Sequence, residues 1–273
     1  MNLLYALQVF LMGIVEGLTE FLPISSTGHL IVAAGVLRFS PADKDTFIVA
    51  IQAGAILAVC WHYRKRILAI LTHLLSPGLE QRLAVNTVLA FVPAAIAGVL
   101  LAGFVQSRLF NPITVAVTLV VGGVIILWVE GRIKRLALHP RINDMDSMDW
   151  SDALKVGCMQ CFALVPGMSR SGSTIIGGML CGLSRQAATE FSFFLSIPTI
   201  FGATAYDLWK SRADLVDVNV TALMLGLVVS FVSALIVVKW LLRFVAHNSF
   251  AGFGWYRIFF GFIVLGACAA GII

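Results

Sequence analysis

Charge is what this sequence has least of. Asp, Glu, Lys and Arg make up only 12% of its 273 residues, where a soluble domain carries about 25%. The shortage excludes an ordinary soluble globular domain, and the remaining polar sequence is too short to fold as one. Basic patches interleaved with aromatic residues are missing as well. The formal net charge of +5 is therefore not read as a nucleic-acid surface. It fits cytoplasmic loops and anionic lipid head groups. No cluster of His, Cys and Asp has the spacing of a zinc site. No basic residue precedes the first apolar run, which predicts that the run is retained and not cleaved as a signal peptide. Cysteines are few and odd in number, five in all. Cys158-x-x-Cys161 has the spacing of a redox or metal pair, but it lies in an apolar run, where small residues of a membrane helix are the plainer reading.

What the sequence has is apolar length. Hydrophobic residues make up 59% of it, with a mean hydropathy of +0.95. A membrane-spanning helix needs about 20 mostly apolar residues, so the chain has room for roughly six to eight spans and short loops. Apolar stretches run over 3–22, 24–37, 46–62, 83–103, 112–130, 153–165, 172–183, 189–209, 219–238 and 253–273. Two pairs are not clean spans. The pair 3–22 and 24–37 is broken at Pro23 and carries Glu16 and Glu20; the pair 153–165 and 172–183 is broken at Pro166-Gly167. Each reads as a re-entrant hairpin. Non-helical backbone at membrane depth must be buried in protein or line a wet cavity.

The two broken regions are related. Sliding the chain 144 residues along itself places Gly13 on Gly157 and Glu16 on Gln160. It also places Ser25 on Ser169, Thr27 on Ser171, Gly28 on Gly172, Ser40 on Ser184, Thr46-Phe47 on Glu190-Phe191 and Gly122 on Gly266. One ungapped register spans nearly the whole chain, which predicts an internal repeat. A hairpin plus three crossings is an odd count, so the second repeat must be inverted in the membrane. The expected fold is an all-α polytopic membrane protein, a single domain over 1–273. Its two inverted-topology repeats, about 1–130 and about 150–273, each hold one re-entrant helix hairpin plus about three transmembrane helices.

Basic residues set the expected sidedness. Arg64, Lys65, Arg66, Arg82, Arg132, Lys134, Arg135, Arg141, Lys155, Arg185, Lys239 and Arg243 would share the cytoplasmic side. Arg38, Lys44, Arg108, Lys210 and Arg212 would lie opposite. Both termini then face outward. The run from His62 to Arg66 reads as a solvated, lipid-facing loop, and Trp61 and Trp209 as interfacial anchors.

Two constellations carry chemistry. Glu16 and Glu20, four residues apart, share one helix face. A carboxylate inside a bilayer costs roughly 2.5–3.5 kcal/mol on insertion scales, so two of them call for a metal, an arginine or a bound proton. The break at Pro23 then leads into Ser25, Ser26, Thr27, Gly28 and His29. One hydroxyl can serve as a helix cap, but capping does not explain three beside a histidine able to act as acid, base or nucleophile. The second constellation runs from Pro166 through Ser169, Arg170, Ser171, Gly172, Ser173 and Thr174. A helix starting here presents free N–H groups to an anion, the hydroxyls add donors, and Arg170 adds a fork suited to phosphate oxygens. The alternative is an arginine that merely neutralises Glu16 or Glu20. If the two repeats meet at mid-membrane, one pocket holds acid/base groups, hydroxyl nucleophiles and a phosphate clamp. Mg²⁺ would be held by one or two carboxylates plus substrate oxygens. Gln52 has no obvious partner. Arg257 either snorkels to the interface or reaches the site.

These motifs resemble those of the bacterial undecaprenyl-diphosphate phosphatase family, also known for bacitracin resistance. The resemblance lies in Glu16-Gly-Leu-Thr-Glu20 with Ser-Ser-Thr-Gly-His, in Pro166 to Gly172, in Gly-Gly-Met at 177–179 and in Glu190-Phe-Ser192. It implies hydrolysis of undecaprenyl diphosphate to undecaprenyl phosphate, the lipid carrier recycled for peptidoglycan synthesis. It also implies dependence on a divalent cation, Mg²⁺ or Ca²⁺, and an outward-facing site in the inner membrane. Glu16 and Glu20 would be acid/base or metal groups, and Ser26 or His29 would attack or assist. Arg170, with Ser169 and Thr174, would bind diphosphate, beside Ser25, Thr27, Ser171, Gly172 and Ser173. Ser26, His29 and water all stay open as the nucleophile. The competing reading is a transporter or flippase of a polyprenyl phosphate or other anion, since inverted repeats with broken helices are typical of transporters. An inert assembly or channel component would leave the buried charges without purpose. A homodimer is an arrangement the sequence leaves open.

Overall fold

The computed structural model of the protein describes residues 2–39, 44–210 and 219–271. Ser40, Arg212 and the last two residues of the 253–273 stretch lie outside the described residues, as do the side chains of Lys44 and Lys210. Among the described residues the chain is all helical, without named strands. In chain order the helices are α1 (Leu3–Thr19), α2 (Ser26–Leu37), α3 (Lys44–His62), α4 (Arg64–His73), α5 (Leu79–Phe104), α6 (Pro112–Arg135), α7 (Trp150–Gln160), α8 (Arg170–Leu180), α9 (Arg185–Lys210), α10 (Val220–Val245) and α11 (Ala251–Ala269).

Local chemistry sets several of these starts. The side chains of Asn2 and Asn111 accept the backbone N–H of Tyr5 and Thr114, both at 2.8 Å. Pro112 follows Asn111 at the first turn of α6, where its missing N–H costs nothing. Asp149 and Asp152 form a reciprocal capping box on α7.

Among the described residues four helices are long and apolar enough to cross a membrane: α5 with the wide turn Val105–Leu109 that extends it, α6, α10 and α11. A fifth span results if α3 and α4 are taken together across their 75° bend. This is a multi-pass membrane protein. The expected crossing at 189–209 corresponds to α9, which has the length but carries Thr189, Glu190, Ser192, Ser196 and Thr199. The reason is position: α9 runs through the interior, with Phe191, Phe193 and Leu195 fully buried. The expected loop at 62–66 is instead a bend into α4. Arg66 there pairs with Asp146, far along the chain, and that partner makes a helix start worth more than a solvated loop.

Lipid-facing surface is plain on α5, where Val88, Val92, Ile96, Val99 and Leu100 are exposed. Soluble monomers rarely show contiguous apolar faces of this kind. Trp61 and Trp209 are exposed near helix ends, and the Arg64 guanidinium lies 4.9 Å from the Trp61 ring centroid. Inside, helices approach closely through small residues, as they do in membranes generally. Gly13 of α1 meets the Gly226 backbone of α10, and Gly157 of α7 meets the Ala90 backbone of α5. Arginines expected on the cytoplasmic side are tied down: Arg141 pairs with Asp152, Arg82 donates to the Asp146 carbonyl, and Arg185 grips the buried Glu130.

Candidate active site

Helix breaks at both expected places, and the two breaks are alike. After α1 the chain turns through Glu20–Ile24, passes Ser25 and starts α2 at Ser26. After α7 it makes a tight turn over Cys161–Leu164, passes Ser169 and starts α8 at Arg170. Ser25 and Ser169 both have positive φ, at 71° and 73°. Non-glycine residues held there cost of order 1–3 kcal/mol and persist where the surroundings over-determine them. The arrangement brings the starts of two helices, each with free N–H groups, to one place.

Across that place Glu20 and Arg170 form an ion pair, Oε1 to Nη2 at 3.2 Å, with both side chains nearly buried. The other carboxylate oxygen of Glu20 accepts from Ser26 Oγ at 2.6 Å. Arg170 also donates from Nη1 to the Ser192 carbonyl at 3.1 Å, and its guanidinium lies 5.6 Å from the Phe21 ring centroid. Its Nε–H has no partner among the described residues. Glu16, fully buried one turn before Glu20, faces the Glu20 carboxyl and Arg170. Among the described residues its two oxygens accept no hydrogen bond. Buried polar groups of this kind are normally satisfied, so this corner of the site has unused acceptors and an unused donor.

A cavity of about 260 Å³ opens here, lined by Glu20, Ser25, Ser26, Thr27, Ser169 and Arg170 on one side. Gln52 of α3 and Thr199 of α9 stand on its wall, with Pro166 and Gly167 at the second break. The structure thus gathers six of the expected residues around one space.

Glu16 stands behind Glu20, and the remaining expected residues do not line this cavity. Ser171 Oγ donates to the Leu22 carbonyl at 2.8 Å, fastening one break to the other. Thr174 Oγ1 meets Ser192 Oγ at 2.6 Å, inside the protein. The Gly172 N–H is taken by Ser169 Oγ at 3.1 Å. Ser173 bonds the Ser169 carbonyl at 2.9 Å and, with Gly172, borders a separate apolar groove against α6 and α7. His29, expected as a catalytic group, is not among the residues lining the cavity beside Glu20 and Arg170. Its Nδ1 bonds the Ser25 carbonyl and its Nε2 the Tyr256 hydroxyl, both at 2.7 Å. Its ring stacks on Phe260 with centroids 4.2 Å apart. A carbonyl only accepts, so Nδ1 carries the proton and Nε2 accepts from Tyr256.

Two residues of the cavity wall had a weaker signal in the sequence. Gln52 was conspicuous as an amide in an apolar helix. Thr199 was not, since threonine is common in membrane helices. Arg257 does not snorkel: it is 1% exposed.

The family model of the bacitracin resistance protein BacA matches residues 9–263. An undecaprenyl-diphosphatase of Cupriavidus metallidurans is 51% identical, over 100% of this chain and 99% of its own. An undecaprenyl-diphosphatase 1 of Burkholderia ambifaria is 57% identical over 94% of each chain. An undecaprenyl-diphosphatase of Herminiimonas arsenicoxydans is 52% identical over 97% of this chain and 96% of its own.

Proposed function

The chain belongs to the family of the bacitracin resistance protein BacA, and from that membership we infer that it is an undecaprenyl-diphosphatase whose reaction takes place between Glu20 and Arg170. It converts undecaprenyl diphosphate to undecaprenyl phosphate and inorganic phosphate, returning the lipid carrier to peptidoglycan synthesis.

The observation that carries the siting is the chain of contacts Ser26 Oγ–Glu20–Arg170 on one cavity wall. Phosphoryl transfer needs positioning and neutralisation of spread negative charge. Arg170 and the amides at the starts of α2 and α8 bind phosphate oxygens. Glu20, 2.6 Å from Ser26 Oγ, takes the hydroxyl proton as Oγ attacks the terminal phosphorus. The bond from that phosphorus to the bridging oxygen breaks, and its electron pair leaves with undecaprenyl phosphate. Water then attacks the phosphoserine, Ser26 Oγ leaves with the proton held on Glu20, and phosphate is released. His29 supports this from the backbone side by holding the Ser25 carbonyl.

Glu16 and Glu20 fit a hard divalent cation, Mg²⁺ or Ca²⁺, in donor chemistry. Both are carboxylates, and the buried oxygens of Glu16 have no donor to accept from. When bound, such an ion would neutralise diphosphate charge.

The architecture we read is two inverted repeats in one domain. Several features support it: the shared backbone conformation of Ser25 and Ser169, and the matched starts of α2 and α8. In addition α1 packs on α10 as α7 packs on α5, and α3 packs on α10 as α9 packs on α5. The basic ends of the helices favour termini that face outward and a site open to the exterior of the inner membrane.

The test is phosphate release from a polyprenyl diphosphate by the purified protein, with and without chelator and added Mg²⁺ or Ca²⁺. Release should be lost in Arg170→Ala and Glu20→Ala proteins that remain folded. Full activity in either variant would move the reaction out of this cavity.

A further inference from the structure

We propose that Arg257 is a positioning residue for this reaction, the clasp that holds the two chain breaks at the register the phosphate site needs. It touches no substrate, and the inference rests on the phosphatase reading. Arg257 sits in the second turn of α11, buried. A guanidinium has five N–H donors, and here each finds a backbone carbonyl. Nη1 reaches Pro23 and Met168, both at 3.1 Å; Nη2 reaches Gly167 at 3.0 Å and Thr118 at 3.1 Å; Nε reaches Leu119 at 3.3 Å. Pro23 belongs to the first break and Gly167 and Met168 to the second. Their carbonyls lie outside helices, so no amide one turn on satisfies them. One side chain therefore answers the orphan acceptors of both breaks and fixes them to α6.

The room for it is built. A Cβ at Gly122 of α6 would overlap the guanidinium, and one at Gly172 would come within 3.2 Å of Nη1. Apolar packing would be the cheaper use of this spot, since a cation at membrane depth is costly and among the described residues Arg257 pairs with no carboxylate. What a lysine or methionine lacks is the planar reach to both breaks at once. Ser26 and Arg170 each follow a break by a few residues, so their separation follows the clasp.

The experiment compares Arg257→Lys, Arg257→Met and Gly122→Ala with the parent protein. It reads kcat and KM for a polyprenyl diphosphate, per folded molecule by thermal unfolding, together with amide hydrogen exchange over 22–28 and 166–173. Misplacement on the order of 1 Å costs about a hundredfold in rate. We expect kcat to fall about 30- to 100-fold in Arg257→Lys, KM to move less than about threefold, and both segments to exchange faster. Gly122→Ala, which keeps the charge, should move the same quantities less. Unchanged kcat per folded molecule overturns the proposal, as does a rise in KM alone, which would make Arg257 a substrate contact. If the Arg257 variants do not fold, Gly122→Ala decides: parental kcat and parental exchange there overturn it. If the parent itself releases no phosphate, the functional reading fails, while the exchange rates still decide the clasp.

Discussion

Ser25 and Ser169, 144 residues apart, hold nearly the same strained backbone, at φ 71°, ψ 98° and φ 73°, ψ 117°. Each precedes the first residue of a helix, so each aims helix amides and a hydroxyl toward the cavity. They differ in compensation. Ser169 Oγ accepts from the Gly172 N–H, whereas Ser25 makes no side-chain cap bond. Ser25→Gly should therefore hold or raise the unfolding temperature, because glycine tolerates positive φ. Ser169→Gly should lower it, by losing a cap worth about 1 kcal/mol. Thermal unfolding in detergent checks the order; the reverse ranking would mean that the strain is not stored where the backbone places it.

Ser26 and His29 separate by geometry. Ser26 lines the cavity and is bonded to Glu20, while both ring nitrogens of His29 are engaged elsewhere. Ser26→Ala should abolish phosphate release, to below about a thousandth of the parent, as loss of an activated nucleophile does. His29→Gln keeps a donor for the Ser25 carbonyl and should retain measurable turnover. A phosphorylated Ser26 trapped by rapid quench would match this scheme. A phosphorylated His29, or full activity in Ser26→Ala, would end it.

Much of this was legible in the sequence because buried charge is so costly in a bilayer. Glu16, Glu20 and Arg170 stand out in apolar runs, and the structure gathers them. The breaks were legible from Pro23 and Pro166-Gly167. Side-chain direction was not. Ser171, Ser173 and Thr174 share one motif with Ser169, yet one helical turn points them in different directions. Only the packed neighbours show that Thr174 meets Ser192 and that His29 meets Tyr256. The interior course of α9 was equally hidden, because 189–209 read as one more apolar stretch and not as the wall of a site.

Gln52 and Thr199 complete that wall from α3 and α9. Thr199 Oγ1 is bonded to the Leu195 carbonyl at 2.7 Å and lies 3.3 Å from Gln160 Oε1, while the Gln52 amide carries two N–H donors. Gln52→Leu should weaken substrate binding by one neutral hydrogen bond, about 0.5–1.5 kcal/mol, or roughly a two- to thirteenfold rise in KM. Thr199→Val, nearly the same shape, should change KM by less. Steady-state kinetics over a substrate series distinguishes them, and a parental KM in Gln52→Leu would take the amide out of the binding wall.

Glu16 tests the metal. It is fully buried, its oxygens have no donor, and it lies against Glu20. Removing a partner from a buried charged group usually destabilises, because an uncompensated charge is left behind. Here the buried group without a partner is the Glu16 carboxyl itself, so Glu16→Gln should leave folding intact or improve it. If Glu16 helps to hold the cation, the same change should raise the Mg²⁺ concentration for half-maximal activity by about tenfold or more, the scale of losing one ligand-shell group. Activity of the parent should vanish with chelator and return with metal. A Glu16→Gln protein with the parental metal dependence would leave Glu20 and the substrate oxygens as the only holders of the ion. A parent indifferent to chelator would leave the phosphate charge to Arg170 and the two helix starts alone.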